Sequence, residues 1–157
     1  MRFASTILTA ALVAGAAHAQ GTVTAADPQT VIDQLHEMGY RASYEPFDSG
    51  RPRVLTGVAG VNTSIAFYGC LDDLTNCKTL MFTSGMDMPE GSSTATVNNW
   101  NQSRIYTRAF LDENDDPYFV MPIPRGQDMS GEEFCRLLNI WEDAVIDFTD
   151  EIGCGLG

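Results

Sequence analysis

The chain has 157 residues, enough for one folded domain and too few for a tandem array. Nine Lys and Arg stand against 21 Asp and Glu, a formal charge of −12 with a sequence pI near 4.3, which argues against nucleic acid or an anionic membrane surface as partner. A hydrophobic content of 44% excludes a disordered acidic chain.

The first segment opens with Arg2, runs through small and apolar residues from Phe3 to Ala17, and ends in Ala17-His18-Ala19. That is the pattern of a secretory signal peptide over residues 1–19 with an A-x-A cleavage site. The run is shorter than the roughly 20 apolar residues a bilayer span needs, and no Cys follows it to take a lipid. The expected mature protein is therefore periplasmic or secreted, with no transmembrane segment.

Residues 20–26 read as a polar lead, and residues 27–157 as the domain itself. Asp27-Pro28 reads as a helix cap and first helical residue, with Val31, Ile32, Leu35 and Met38 at helical spacing before Gly39. Four short strands are expected near Tyr40–Glu45, Arg53–Val58, Val61–Gly69 and Lys78–Ser84, separated by turn-forming pieces such as Asp48-Ser49-Gly50. A loop follows from Gly85 to Gly91. Ser93 or Thr94 then caps a short helix carrying Val97 and Trp100. A second hairpin is expected from Arg104–Leu111, through Glu113-Asn114-Asp115, into Tyr118–Ile123.

The last element is the clearest. Ser130 and Glu133 form a capping box, and Phe134, Leu137, Leu138, Trp141, Val145 and Phe148 recur at steps of three and four. Its apolar stripe must cover something, and half-apolar strands supply the other layer. The expected architecture is α+β, an antiparallel sheet with helices packed on one face.

The four cysteines are Cys70, Cys77, Cys135 and Cys154, and an oxidising compartment permits three full pairings. If Cys70 faces Cys77 across a hairpin, then Phe67 meets Leu80 and Ile65 meets Phe82 on one sheet face, so the apolar register supports that bridge. Cys135 and Cys154 lie roughly 28 Å apart along a continuous helix, beyond the reach of a disulfide. Cys135 reads as a buried core thiol and Cys154 as an exposed one able to cross-link two copies, while free thiols, an intermolecular bond and a folded-back tail all stay open for this pair.

Catalytic signatures are sparse. Once the leader is cut, His36 is the one histidine, placed near the end of the first helix where its charge suits the helix C-terminus. Asp112-Glu113-Asn114-Asp115-Asp116 begins like a calcium loop, but Pro117 stands where Gly is required and Ile123 where a bidentate Glu is required. It reads as a charged hairpin tip. Met81, Met86, Met88 and Met121 suggest packing rather than a soft-metal site. No cofactor or metal site is assigned.

From Asn99 onward, the order Trp100-Asn101, Arg104, Arg108-Ala109-Phe110-Leu111-Asp112, an acidic turn, a strand, Gly126, and a helix carrying Trp141 and Phe148 resembles the YbjN family. The resemblance implies a fold similar to type III secretion chaperones, no established enzymatic activity, and a role in sensory transduction regulation. Many members look cytoplasmic, so a cytosolic role does not transfer to a chain with a leader. The related chaperones are usually dimers, which makes a homodimer a second-hand expectation. Trp100 should bury its ring and find a partner for its N–H. Asn101, Arg104 and Arg108 are the candidate partner-binding residues, either paired internally or forming a small cationic spot for a carboxylate.

The expected function is that of an exported, non-enzymatic binding or chaperone-like protein that holds a protein partner on its sheet face or an edge strand. The alternative is a binder of a small molecule or envelope ligand, seated between the sheet and the long helix. A hydrolase would need His36 in a cleft beside a nucleophile.

Overall fold

A computed structural model describes residues 21–124 and 128–153. The leader, Gly126 and Cys154 lie outside the described residues. In chain order the elements are β1 (Thr22–Val23), α1 (Pro28–Glu37), β2 (Ala42–Tyr44), β3 (Arg53–Val58), β4 (Val61–Tyr68), β5 (Thr79–Gly85), α2 (Thr94–Ser103), β6 (Arg108–Leu111), β7 (Pro117–Pro124), β8 (Met129–Ser130) and α3 (Gly131–Glu151).

Local chemistry sets the helix ends. Asp27 accepts the Gln29 N–H ahead of Pro28, Ser93 accepts the Thr96 N–H, and Ser130 accepts the Glu133 N–H at 3.2 Å. The tight β3–β4 hairpin turns through Ala59 and Gly60 at φ of 47° and 79°, the doubly left-handed geometry that matches strand twist.

Six strands pair in the order β2-β3-β4-β5-β7-β6, each antiparallel to its neighbours. The chain leaves β5, crosses through α2 and lays down β6 at the far edge, so that β7 returns into the gap. In β4–β5, Phe67 pairs with Leu80 and Ile65 with Phe82, the register the cysteines imply, and Cys70 and Cys77 are joined by a disulfide.

All three helices cover one face of this sheet. Inward residues Val54, Ile65, Phe67, Leu80, Phe82 and Phe119 meet Val31, Leu35, Val97, Trp100, Phe134, Leu138, Trp141 and Phe148, nearly all without exposure. Aromatic rings dominate the seam: Phe119 stacks on Trp141 at 4.5 Å and lies 4.4 Å from Phe148, which meets Trp100 edge-on at 4.8 Å. Both indole N–H groups are satisfied, Trp100 donating to Thr107 Oγ1 at 3.0 Å and Trp141 to Thr63 Oγ1 at 3.1 Å. Thr63 in turn shares a 3.0 Å hydrogen bond with Ser84, so Trp141, Thr63 and Ser84 form a buried polar chain under α3, beside which the Thr56 hydroxyl has no partner.

Three expectations need correction. Residues 20–26 are not merely a polar lead, because Thr22–Val23 pairs with Met129–Ser130 and both Val23 and Ala25 are buried in the core. The expected strand over Arg104–Leu111 begins only at Arg108. The preceding residues bend because Arg104 and Thr107 turn toward the helices, which leaves Ile105 83% exposed. Cys135 is half-buried rather than a core thiol. It sits near Tyr40, whose hydroxyl is pushed above its ordinary value first by burial and then by Glu142 and Cys135.

The loop closed by the disulfide is ordered from within. Asp73 accepts the Thr75 hydroxyl at 2.7 Å and its N–H at 3.1 Å, which holds the carboxyl below the usual carboxylate range. A depressed carboxyl supports the fold above that range and loses its contribution on acidification through the folded-state value. Reduction of Cys70–Cys77 should cost about 2 kcal/mol and lower the melting temperature by roughly 8 °C, read by calorimetry with and without reductant. A melting temperature unmoved by complete reduction contradicts this.

Candidate functional site

Alternation along the strands sends every second side chain to the face that no helix among the described residues covers. A sheet with one solvated face normally carries polar residues there. Here the outward positions include Ala66 and Tyr68 on β4, Met81 and Thr83 on β5, Tyr118 and Val120 on β7, and Phe110 on β6. Together with Phe47, Arg51, Arg53, Ser64 and Asp112 they line a shallow groove of about 540 Å³.

The groove has two unlike ends. At one, Phe110 stacks on Tyr118 at 5.6 Å and 14°. Tyr118 lies flat on Gly85 of the neighbouring strand, where any Cβ would collide with its ring. At the other end, the Arg51 guanidinium sits 4.4 Å from the centroids of both Phe47 and Tyr68, and Arg53 sits 4.4 Å from Phe47. Arg53 Nε donates to the Glu45 carbonyl at 2.8 Å, whereas the buried Arg51 Nε has no acceptor. The described residues contain two ion pairs, Arg104–Asp147 and Arg136–Glu132, and neither involves this corner.

Both edges of the sheet carry a side-chain cap from the preceding helix. At β6, Asn101 Nδ2 donates to the Ala109 carbonyl at 3.0 Å while its Oδ1 accepts the Ala109 N–H at 2.8 Å. The carboxamide thus replaces the strand that would otherwise add there. At β2, His36 Nε2 lies 3.2 Å from the Ala42 carbonyl, and since a carbonyl only accepts, that nitrogen carries the proton.

The residues singled out in the sequence are brought together, but as braces. Asn101 has both amide ends spent on Ala109. Arg104 makes a 2.6 Å ion pair with Asp147 of α3 and lies 4.6 Å from the Trp100 centroid, tying α2 to α3. Being half-exposed, that pair contributes only about 1 kcal/mol. Arg108 donates to the carbonyls of Thr107 at 2.7 Å and Arg104 at 3.0 Å. Internal pairing, rather than an open cationic spot, describes all three. His36 is exposed, and its one hydrogen bond runs to backbone rather than to a nucleophile.

The acidic turn is a hairpin tip, with Asp112 Oδ1 accepting the N–H groups of Asn114 and Asp116. Met81 faces the groove and Met121 the core, so the two cannot share a ligand. The aromatic and arginine residues of the groove were missed in the sequence, although apolar side chains on both faces of β4, β5 and β7 are their signal.

Residues 27–153 match the family model YbjN, described as "Putative bacterial sensory transduction regulator". Among solved structures, the chain is similar to the Yersinia pestis type III secretion chaperone SycH, determined in complex with a stable fragment of YscM2. The two are 15% identical with a TM-score of 0.46, over 74% of this chain and 93% of that one. Nothing among curated proteins matches the chain.

Proposed function

The chain belongs to the YbjN family, and from that premise we propose that it is an exported, non-enzymatic binding protein that holds a partner protein on the open face of its sheet. The observation that carries this reading is the groove itself, a contiguous aromatic and aliphatic surface on the one face of the sheet that the described residues leave uncovered. Addition of a partner strand at β6 is disfavoured by the Asn101 cap, which directs docking to the face. Export is supported by the leader pattern of residues 1–19 and by the disulfide.

The alternative, a small ligand between the sheet and the long helix, loses its place. Phe82, Phe119, Phe134, Leu138, Trp141 and Phe148 fill that interface with no exposure. A small ligand in the open groove remains an outcome of the test.

A photo-crosslinking side chain placed at Val120 on the groove floor, or at the exposed Arg136 on α3, tests the reading in the native cell envelope. The expected result is a discrete protein adduct from position 120 and none from position 136, on a chain whose mass corresponds to a start at Gln20. Equal labelling from both positions, or co-purification of a small molecule with no adduct, sinks it. A mature mass that retains residues 1–19 sinks the export reading separately.

A further inference from the structure

We infer that the Arg51–Arg53 corner of the groove recognises an Asp or Glu side chain on the docked segment, so that the partner is an acidic-apolar stretch of protein laid across the sheet. This rests on the docking reading above and specifies its occupant. Two guanidinium groups lie 4.4 Å from the centroid of the same Phe47 ring, and Arg51 is as close to Tyr68. Placing like charges on one aromatic ring is unfavourable without a counter-ion. The chain carries 21 acidic side chains, yet among the described residues none forms an ion pair with either arginine.

A guanidinium carries its N–H bonds in one plane as a fork that matches a carboxylate, so two of them beside one ring suit an acidic side chain better than a neutral one. The opposite end carries the Phe110–Tyr118 stack and Asp112, whose sign repels a second acid and so sets the direction of the docked segment.

Counting strands gives the length. From Arg53 on β3 to Phe110 on β6 the groove crosses four strand spacings and about four residues along the strands, or roughly 23 Å, the span of about seven extended residues. The net charge of −12 disfavours an acidic segment over most of the surface, so the arginine corner determines placement as well as affinity.

The test uses an array of N-acetylated, C-amidated heptapeptides with randomised positions, probed with the folded mature protein. Capping removes terminal charges, so any acid preference belongs to side chains. Asp or Glu should be enriched at one terminal position, followed by aliphatic and aromatic residues. For a selected peptide and its Glu→Gln counterpart, titration calorimetry should show at least tenfold tighter binding of the acid, weakened by added salt.

R51Q/R53Q should abolish that difference while leaving the Gln peptide within about twofold, and R51K/R53K should retain part of it. Thermal melts within a few degrees of the parent establish that the variants are folded. An array selecting apolar peptides with no acidic position overturns the inference but leaves the docking surface standing. An acid preference unchanged in R51Q/R53Q also overturns it. If no peptide binds and position 120 yields no envelope adduct, the docking reading falls with it. A concentration-dependent dimer that R51Q/R53Q dissolves assigns the corner to a second copy and overturns the inference.

Discussion

Replacing Trp141 with alanine should destabilise the protein by about 4 kcal/mol, a large share of the 5–15 kcal/mol that holds a domain of this size. Trp141 has no exposure, stacks on Phe119 at 4.5 Å and lies 5.7 Å from Phe82. Removing it opens a cavity under the middle of α3, and the surrounding rings cannot close it without leaving their own contacts. The indole N–H is also the donor that completes the Thr63–Ser84 pair, so truncation leaves a buried hydroxyl oxygen short of a partner.

Trp141→Phe separates the two losses. It keeps a ring on Phe119, removes only the donor and part of the volume, and should cost about 2 kcal/mol. Urea unfolding of the three proteins checks both values. A cost below about 1 kcal/mol for alanine would mean that the core under α3 is not packed as described.

The second large effect is expected at Asn101→Ala, for a different physical reason. The asparagine fills no cavity. It satisfies both main-chain polar groups of Ala109, which is itself only 6% exposed. Alanine leaves those groups without partners at the rim of the sheet, at a cost of about 2 to 3 kcal/mol. Asn101→Asp should be no better, because it keeps an acceptor for the N–H but sets a carboxylate against the Ala109 carbonyl. Beyond stability, an uncapped β6 offers a row of donors and acceptors to any passing strand. Light scattering on the alanine variant should therefore show concentration-dependent association that the parent lacks, and the Ala109 amide should lose hydrogen-exchange protection. A monodisperse variant with a protected Ala109 amide refutes the capping role.

Much of the fold was legible because it is written in short-range patterns. Asp27-Pro28 and Ser130 mark helix starts by chemistry confined to one turn. The β4–β5 register follows from period-two alternation between Ile65-x-Phe67 and Leu80-x-Phe82, with the cysteines as an independent check. Arg104–Thr107 misled because its apolar residues fit a strand equally well. What bends it is tertiary, namely the pull of Asp147 on Arg104 and of the Trp100 N–H on Thr107. The β1–β8 bridge is two residues long and has no pattern to read at all.

The groove was half legible. Apolar residues on both faces of a strand announce that both faces need explaining, but not that the described residues leave one of them bare. Arg51 and Arg53 gave no local signal, since their meaning depends on Phe47 and Tyr68 reaching the same corner from a loop and a different strand. Asn101, Arg104 and Arg108 stand out in the sequence as candidate partner-binding residues, but their internal pairing makes them the bracing of the second hairpin.

The pairing of Thr22–Val23 with Met129–Ser130 joins residues separated by roughly a hundred positions. Immediately after it comes α3, which supplies Phe134, Leu138, Trp141, Val145 and Phe148, most of the layer opposite the sheet. A growing chain therefore makes its first strand long before anything exists to hold it, and the part of its sheet under α3 stays wet on both sides until that final helix emerges. Contacts so distant in sequence close slowly, and none of the earlier elements is worth keeping alone. Completion must come as one late, concerted event, and for most of its synthesis the polypeptide has no folded state to occupy.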